Sequence, residues 1–205
     1  MIDRHVLRFF RPAIDAAAGR LYALGCNADQ VTLAGFGLGL AGAALIVLGL
    51  PLLAIALIVV SRALDGLDGA LARLCGTTDR GAFLDISLDF YFYAAIPLAF
   101  ALADPAADGL AAAVLLAAFV GTGTSFLAYA VIAGKRGLTS TAYPDKTIYY
   151  LGGITEGSET VACFIAMCLW PAHFAAIAYV YAGLCAITSV MRIAAGWQTF
   201  SVRND

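Results

Sequence analysis

The chain has 205 residues, of which 62% are hydrophobic and only 13% are charged, and its mean hydropathy is +0.88. This composition excludes an ordinary soluble domain and indicates a protein that crosses a membrane several times. The formal net charge of −2 says little about partners, because the charged residues are segregated by side of the membrane.

The first segment, residues 1–28, lacks the continuous apolar stretch of a signal peptide. It mixes apolar side chains such as Phe9 and Phe10 with Arg4, Arg8 and Arg11. This pattern predicts an amphipathic helix that lies at the membrane interface.

Five apolar stretches follow that approach or exceed the ~20 residues that a membrane-spanning helix needs, and a sixth crossing is readable once the aspartate segment is divided between two helices. The predicted fold class is therefore an all-α membrane protein of six transmembrane helices preceded by the interfacial helix. We expect one membrane domain over residues 1–205, with residues 1–28 at the interface, 29–89 forming a site, and 90–205 supplying the remaining helices. The predicted crossings are 31–50, 52–74, 81–103, 109–133, 147–170 and 172–195.

The basic residues predict the orientation. On this map all 12 Lys and Arg fall toward one side, and the opposite turns, around residues 51, 104–108 and 171–173, contain none. Basic residues in short loops mark the cytoplasmic side. We therefore expect a multi-pass protein of the bacterial cytoplasmic (inner) membrane with both termini facing the cytoplasm.

The stretch "GLGLAG", residues 37–42, fits the glycine pattern of dinucleotide-binding folds, but that pattern has meaning only between a strand and a helix. Here it lies within one apolar run. Close packing of helices through small residues is the interpretation that we adopt.

Four aspartates stand out in this apolar chain. Asp65 and Asp68 are three residues apart, and Asp85 and Asp89 are four apart, so each pair shares one face of a helix. The polar stretch between the pairs predicts a short cytoplasmic turn, with the two helices as antiparallel neighbours. Four carboxylates should then converge near the membrane surface.

Four carboxylates in a partly dehydrated pocket repel one another, and two divalent cations, Mg²⁺ or Mn²⁺, would neutralise them with the oxygen ligands that these ions prefer. Such a site suits displacement at phosphorus. The structural alternative is that the aspartates are solvated helix ends, or are paired with Arg62, Arg73 and Arg80.

The motif "DGLDGALAR" at residues 65–73, followed by "GAFLDISLD" at residues 81–89, resembles the signature of the class I CDP-alcohol phosphatidyltransferases, D-x-x-D-G-x-x-A-R then G-x-x-x-D-x-x-x-D. The linker between the two halves is one residue shorter than is usual in that family. Upstream, "DQVT" is similar to the family's N-x-x-T, with Asp29 in the place of the Asn and Thr32 kept.

The resemblance implies attack by an alcohol hydroxyl on the β-phosphorus of CDP-diacylglycerol, or of another CDP-linked donor, with release of CMP in phospholipid biosynthesis. It implies that Asp65, Asp68, Asp85 and Asp89 bind the two cations and that Asp89 is also the general base. It further implies a homodimer. The residues that it assigns to the CDP-lipid are Asp29, Gln30, Val31, Thr32, Gly69, Ala72, Arg73 and Thr78.

The acceptor, a small polar alcohol, stays open. Basic residues near the same side could bind a phosphorylated acceptor, or could simply reflect the positive-inside rule: Lys135, Arg136, Lys146 and Arg192. Glu156 and Glu159 share a helix face within the apolar part of the chain, where ionisable groups usually face a cavity or the protein interior. Acceptor binding and hydrogen bonding to neighbouring helices are both compatible with this position.

Two other classes of function fit the sequence less well. An ion or proton transporter would show inverted repeats and acids spread across the bilayer, and neither is visible. A catalytically silent scaffold would be expected to lack one or more of the four aspartates, and all four are present. The leading hypothesis is a metal-dependent transferase that acts on membrane lipid and binds no nucleic acid.

Overall fold

The computed structural model of the protein describes residues 2–138 and 153–201, and within these ranges the chain is helical and contains no strand. A short 3₁₀ turn at Pro171–His173 precedes the last helix. The α-helices are α1 (Ile2–Ala23), α2 (Ala28–Val47), α3 (Pro51–Cys75), α4 (Asp79–Ala103), α5 (Pro105–Lys135), α6 (Gly157–Leu169) and α7 (Phe174–Ser201).

The helix boundaries follow from local capping. The side chain of Asn27 accepts a hydrogen bond from the Gln30 backbone at 2.9 Å, and the Gln30 side chain accepts one from the Asn27 backbone at 3.1 Å, which forms a capping box at the start of α2. Thr78 caps α4 by accepting from the Gly81 backbone at 3.0 Å. Between α3 and α4, Gly76 adopts φ +94, a conformation that favours glycine.

Four helices of the described chain are long and apolar enough to cross a membrane: α2, α4, α5, and α7 together with its preceding turn. Helix α3 has 25 residues but carries Arg62, Asp65, Asp68 and Arg73. Helix α6 has 13 residues. The predicted crossing at 147–170 begins outside the described residues.

The helices pack through one large apolar core and leave apolar side chains on the outside. Phe92 on α4, Phe164 on α6 and Phe174 at the start of α7 are fully buried in this core. On the outer surface, Trp197 is 81% exposed and Val180 is 68% exposed. Apolar side chains that point outward from long helices are typical of a surface that contacts lipid.

Helix α1 packs against α3, where Ala18 is fully buried beside Leu71 and Val31. Helix α2 packs against both α3 and α4, and these contacts are more extensive than those between α3 and α4 themselves. The expectation that α3 and α4 are close neighbours is thus met only in part. Because α2 lies against both, its N-terminal half faces the same space as the two aspartate pairs.

Candidate active site

A small pocket opens where α2, α3 and α4 meet. Each of the three helices contributes residues of its polar face, and three of the four aspartates are among them. The lining residues are Thr32, Gly35, Phe36, Ser61, Arg62, Asp65, Asp85, Leu88 and Asp89. The spacing of the carboxylates along each helix therefore does bring both pairs toward one region.

The fourth aspartate, Asp68, is only 5% exposed and faces α2. Its Oδ2 accepts a hydrogen bond from the Thr32 hydroxyl at 2.5 Å. Asp68 is three residues from Asp65 and therefore lies on nearly the same face of α3, next to the pocket that Asp65, Asp85 and Asp89 line. These four carboxylates form the aspartate cluster.

The positively charged side chain of Arg62 lies against this cluster. Nη1 of Arg62 donates to Asp65 Oδ1 at 3.2 Å and also donates to Asp89 Oδ1. The guanidinium stacks over the Phe92 ring at 4.0 Å from its centroid, and Nη2 donates to the Ser61 hydroxyl at 3.2 Å. The structural alternative raised by the sequence is therefore observed for Arg62, which pairs with one aspartate of each helix.

The donor set of the cluster fits hard divalent cations, because it consists of carboxylates and already holds a positive group between two of them. Within the described residues, no group of three or more His, Cys, Asp or Glu side chains is arranged closely enough to hold a metal ion. Ligation by both Asp65 and Asp89 would require the Arg62 guanidinium to move.

The positions assigned to the nucleotide lie near the N-terminal ends of α2 and α4 and the C-terminal end of α3. A Cβ added to Gly69 would meet nothing closer than Nη1 of Arg73, at 3.8 Å, so the surface beside this glycine is open. Ala72 is half-buried and Arg73 is exposed on the same helix. Asp29 forms an ion pair with Arg80, Nη2 to Oδ2 at 2.5 Å.

Three other residues from this set have local structural roles. Gln30 belongs to the capping box of α2, and Thr78 is the N-cap of α4. Val31 is buried against α1 and α3. Thr32 contacts the cluster directly, through its hydrogen bond to Asp68.

The basic candidates for acceptor binding are dispersed. Lys135 is exposed at the end of α5, and Nη2 of Arg136 donates to the Phe200 carbonyl at 2.9 Å. Arg192 is 7% exposed, donates from Nη1 to the Thr122 carbonyl at 3.1 Å, and lies over the Phe126 ring. Lys146 lies outside the described residues.

The two glutamates differ in their surroundings. Glu156 is 6% exposed, and its Oε1 accepts from the Gly153 backbone at 3.1 Å. Glu159 is half-buried and accepts from the neighbouring Ser158 hydroxyl at 3.1 Å. Both lie in the first turn of α6 or immediately before it.

Sequence reasoning gave Arg62 no functional role, although its position three residues before Asp65 places both on one helix face. It likewise missed Ser61, which lines the pocket, and the pair between Arg80 and Asp29. The last contact joins residues 51 positions apart, and no local spacing could reveal it.

The chain resembles one curated protein in sequence and two solved structures in fold. No family model matches the chain. The inner membrane protein YnjF of Escherichia coli (strain K12) is 45% identical over 199 residues, which cover 97% of this chain and 97% of YnjF.

Two crystal structures of phosphatidylinositol phosphate synthase from Mycobacterium tuberculosis have the same fold. The structure with CDP-DAG bound aligns to this chain with a TM-score of 0.74 and 21% sequence identity. The alignment covers 94% of this chain and 98% of the synthase chain. The structure in complex with manganese and citrate aligns with a TM-score of 0.74 and 22% sequence identity, over 94% of this chain and 93% of the synthase chain. The chain therefore belongs to the same family as YnjF, and its fold, together with its signature at residues 65–89, is that of the CDP-alcohol phosphatidyltransferases.

Proposed function

We propose that this protein transfers a phosphatidyl group from CDP-diacylglycerol to the hydroxyl of a small polar alcohol and releases CMP. The observation that carries the proposal is that Asp65 of α3 and Asp85 and Asp89 of α4 line one pocket, with Asp68 three residues from Asp65 on α3. That one of the structural relatives has CDP-DAG bound supports the choice of donor.

Asp65, Asp68, Asp85 and Asp89 would hold two divalent cations, Mg²⁺ or Mn²⁺, as the manganese in one relative supports. When bound, the cations would neutralise phosphate charge and stabilise the attacking and leaving oxygens. Asp89 is assigned the additional task of accepting the proton of the acceptor hydroxyl. Thr32 holds the Asp68 carboxylate in place by donating to it.

The donor would lie along the small-residue face of α3. Gly69 leaves space there, and Arg73 would offer its planar fork to phosphate oxygens. Thr32 and Asp29, at the start of α2, would complete the nucleotide pocket with Ala72 and Thr78. Gln30 and Val31 would contribute indirectly, since their side chains cap α2 and pack its first turn.

The acceptor cavity is assigned to the later helices, residues 90–205, with Arg192 as its principal cation, because Arg192 is buried rather than displayed at the surface. Glu159, in the first turn of α6, and Glu156, immediately before that helix, are candidates to bind acceptor hydroxyls. Lys135, Arg136 and Lys146 would add positive charge on the cytoplasmic side. The phosphatidylinositol phosphate synthase likeness makes a phosphorylated polyol one acceptor class to test.

In the membrane, we propose that α2 to α7 contribute to six crossings and that α1 lies at the cytoplasmic interface. Both termini and the aspartate cluster would face the cytoplasm. The inner membrane location proposed here is supported by the name of YnjF. A homodimer of this single domain is the expected assembly.

The reaction is tested with purified protein, CDP-diacylglycerol, Mg²⁺ or Mn²⁺, and a panel of alcohols that includes glycerol 3-phosphate, inositol phosphate and serine. Mass spectrometry of the lipids identifies the product, and a CMP assay gives the rate. Excess chelator should abolish CMP release, because the four carboxylates would then repel one another and the phosphate. Full activity in chelator would exclude the metal mechanism, and absence of both CMP and new lipid with every acceptor would count against the transferase.

A further inference from the structure

Arg62 occupies the space between two carboxylates that are proposed metal ligands. Its side chain is 14% exposed, against 36% for Asp65 and 29% for Asp89, so the Arg62 side chain is the most enclosed of the three. A divalent cation held by these two aspartates would need carboxylate oxygens that now accept hydrogen bonds from Nη1 of Arg62.

Other contacts of Arg62 do not involve the aspartates. The guanidinium is stacked on Phe92 and donates to Ser61, and both of these partners are fully buried. The remaining nitrogen, Nε, is buried without a hydrogen-bond partner among the described residues. Arg62 is thus held beside the cluster by its own surroundings, and a single nitrogen, Nη1, makes its contacts with the two carboxylates.

We propose that Arg62 is an internal counter-ion that competes with divalent cations for Asp65 and Asp89. The proposal rests on the proposed function, because competition requires that these aspartates bind metal. Without metal, the guanidinium offsets the repulsion between carboxylates of α3 and α4. When both aspartates ligate a cation, the guanidinium leaves them and keeps its contacts with Phe92 and Ser61. Arg62 is therefore a positioning residue that sets the metal affinity of the site.

The test is a titration of Mn²⁺ into purified protein, followed by calorimetry and by the electron paramagnetic resonance signal of free Mn²⁺. Arg62→Met removes the competing charge while keeping an unbranched side chain, and Arg62→Lys keeps the charge. Arg80→Gln is the matched control, because Arg80 pairs with Asp29, which is not a proposed metal ligand. We expect Arg62→Met to bind Mn²⁺ about tenfold more tightly than the parent, since a charge-assisted hydrogen bond opposes binding in the parent. Arg62→Lys and Arg80→Gln should stay within about threefold of the parent.

A second measurement, the unfolding temperature, separates competition from packing. In chelator, Arg62→Met should unfold at a lower temperature than the parent, and saturating Mn²⁺ should reduce that difference. Circular dichroism before each titration shows that the helices are formed. If Arg62→Met does not fold, Arg62→Gln takes its place and should likewise bind Mn²⁺ more tightly than the parent.

The outcomes distinguish this proposal from the one on which it rests. Mn²⁺ binding in folded Arg62→Met or Arg62→Gln that equals or falls below that of the parent overturns the competition, even if the parent binds Mn²⁺ and releases CMP. If neither the parent nor the variant binds Mn²⁺ and CMP is released in chelator, the two-metal function fails and the competition fails with it.

Discussion

At the scale of single residues, Asp89 is expected to combine two tasks. It accepts from Arg62 and lies at the pocket, one helical turn deeper in α4 than Asp85. Asp89→Asn keeps an oxygen ligand and almost the same volume but cannot accept a proton. We expect Asp89→Asn to bind CDP and Mn²⁺ nearly as the parent does. Its rate of CMP release should fall by a factor of roughly 10²–10⁴, which is the usual contribution of a general base to the rate.

Calorimetry and a CMP-release assay measure the two effects separately for Asp89→Asn. Asp79→Asn is the control, because Asp79 is exposed in the first turn of the same helix. Turnover near the parental rate in Asp89→Asn would exclude Asp89 as the base. Loss of all metal binding would instead make it chiefly a ligand.

Gly69 offers a second prediction at this scale. Its open surroundings mean that a larger side chain meets no obstacle in the protein, whereas a nucleotide along α3 would be obstructed. Gly69→Leu should therefore lower CDP affinity by at least about tenfold, roughly 1.4 kcal/mol, and leave the unfolding temperature within a few degrees. Gly69→Ala should give a smaller loss. Parental CDP affinity in Gly69→Leu would remove the glycine from the nucleotide pocket.

At the scale of helices, the small residues of α2 determine how closely it approaches its neighbours. A Cβ on Gly39 would lie 2.6 Å from the Phe92 ring and 3.0 Å from the Ser61 hydroxyl oxygen. A Cβ on Gly42 would lie 3.3 Å from Ile58. The glycine motif of residues 37–42 is thus used in part for helix packing, as its position within one apolar run indicated.

Gly39→Ala is expected to destabilise the protein by about 1–3 kcal/mol, because the buried Phe92 ring must shift to admit the methyl group. Gly37→Ala, on the same helix, meets nothing within 4 Å and should be neutral or slightly stabilising. Unfolding of both variants in detergent, followed by circular dichroism, measures the difference. Equal stability of the two would show that α2 can move away from α4 at little cost.

At the scale of the whole molecule, the proposed orientation is open to chemical labelling. Cys75 is exposed at the end of α3, Cys26 is half-buried, and the cysteines at 163, 168 and 185 are buried. A charged maleimide that does not cross membranes should label Cys75 in inside-out vesicles and not in intact spheroplasts. Cys75→Ser should remove most of the labelling. Strong labelling of Cys75 from the outside would reverse the orientation.

The spacing of residues along the chain was enough to predict several helices and the helix faces that carry the aspartates. The spacing of Asp65, Asp68, Asp85 and Asp89 placed each pair on one helix face, because the helical repeat is a property of neighbouring residues alone. The apolar runs predicted the helices α2, α4, α5 and α7, since burying a long apolar stretch in lipid requires no partner. The signature at residues 65–89 likewise indicated the fold that the relatives share.

The tertiary structure determines which charged and polar groups are in contact. Arg62 reaches Asp89 across 27 positions, Thr32 reaches Asp68 across 36, and Arg136 reaches the Phe200 carbonyl across 64. The first two contacts depend on α2 lying against both α3 and α4, with the close approach that Gly39 allows beside Phe92, and the third depends on α5 packing against α7. Such packing arises from the shapes of side chains on several helices at once, and for that reason no spacing along the chain could specify it.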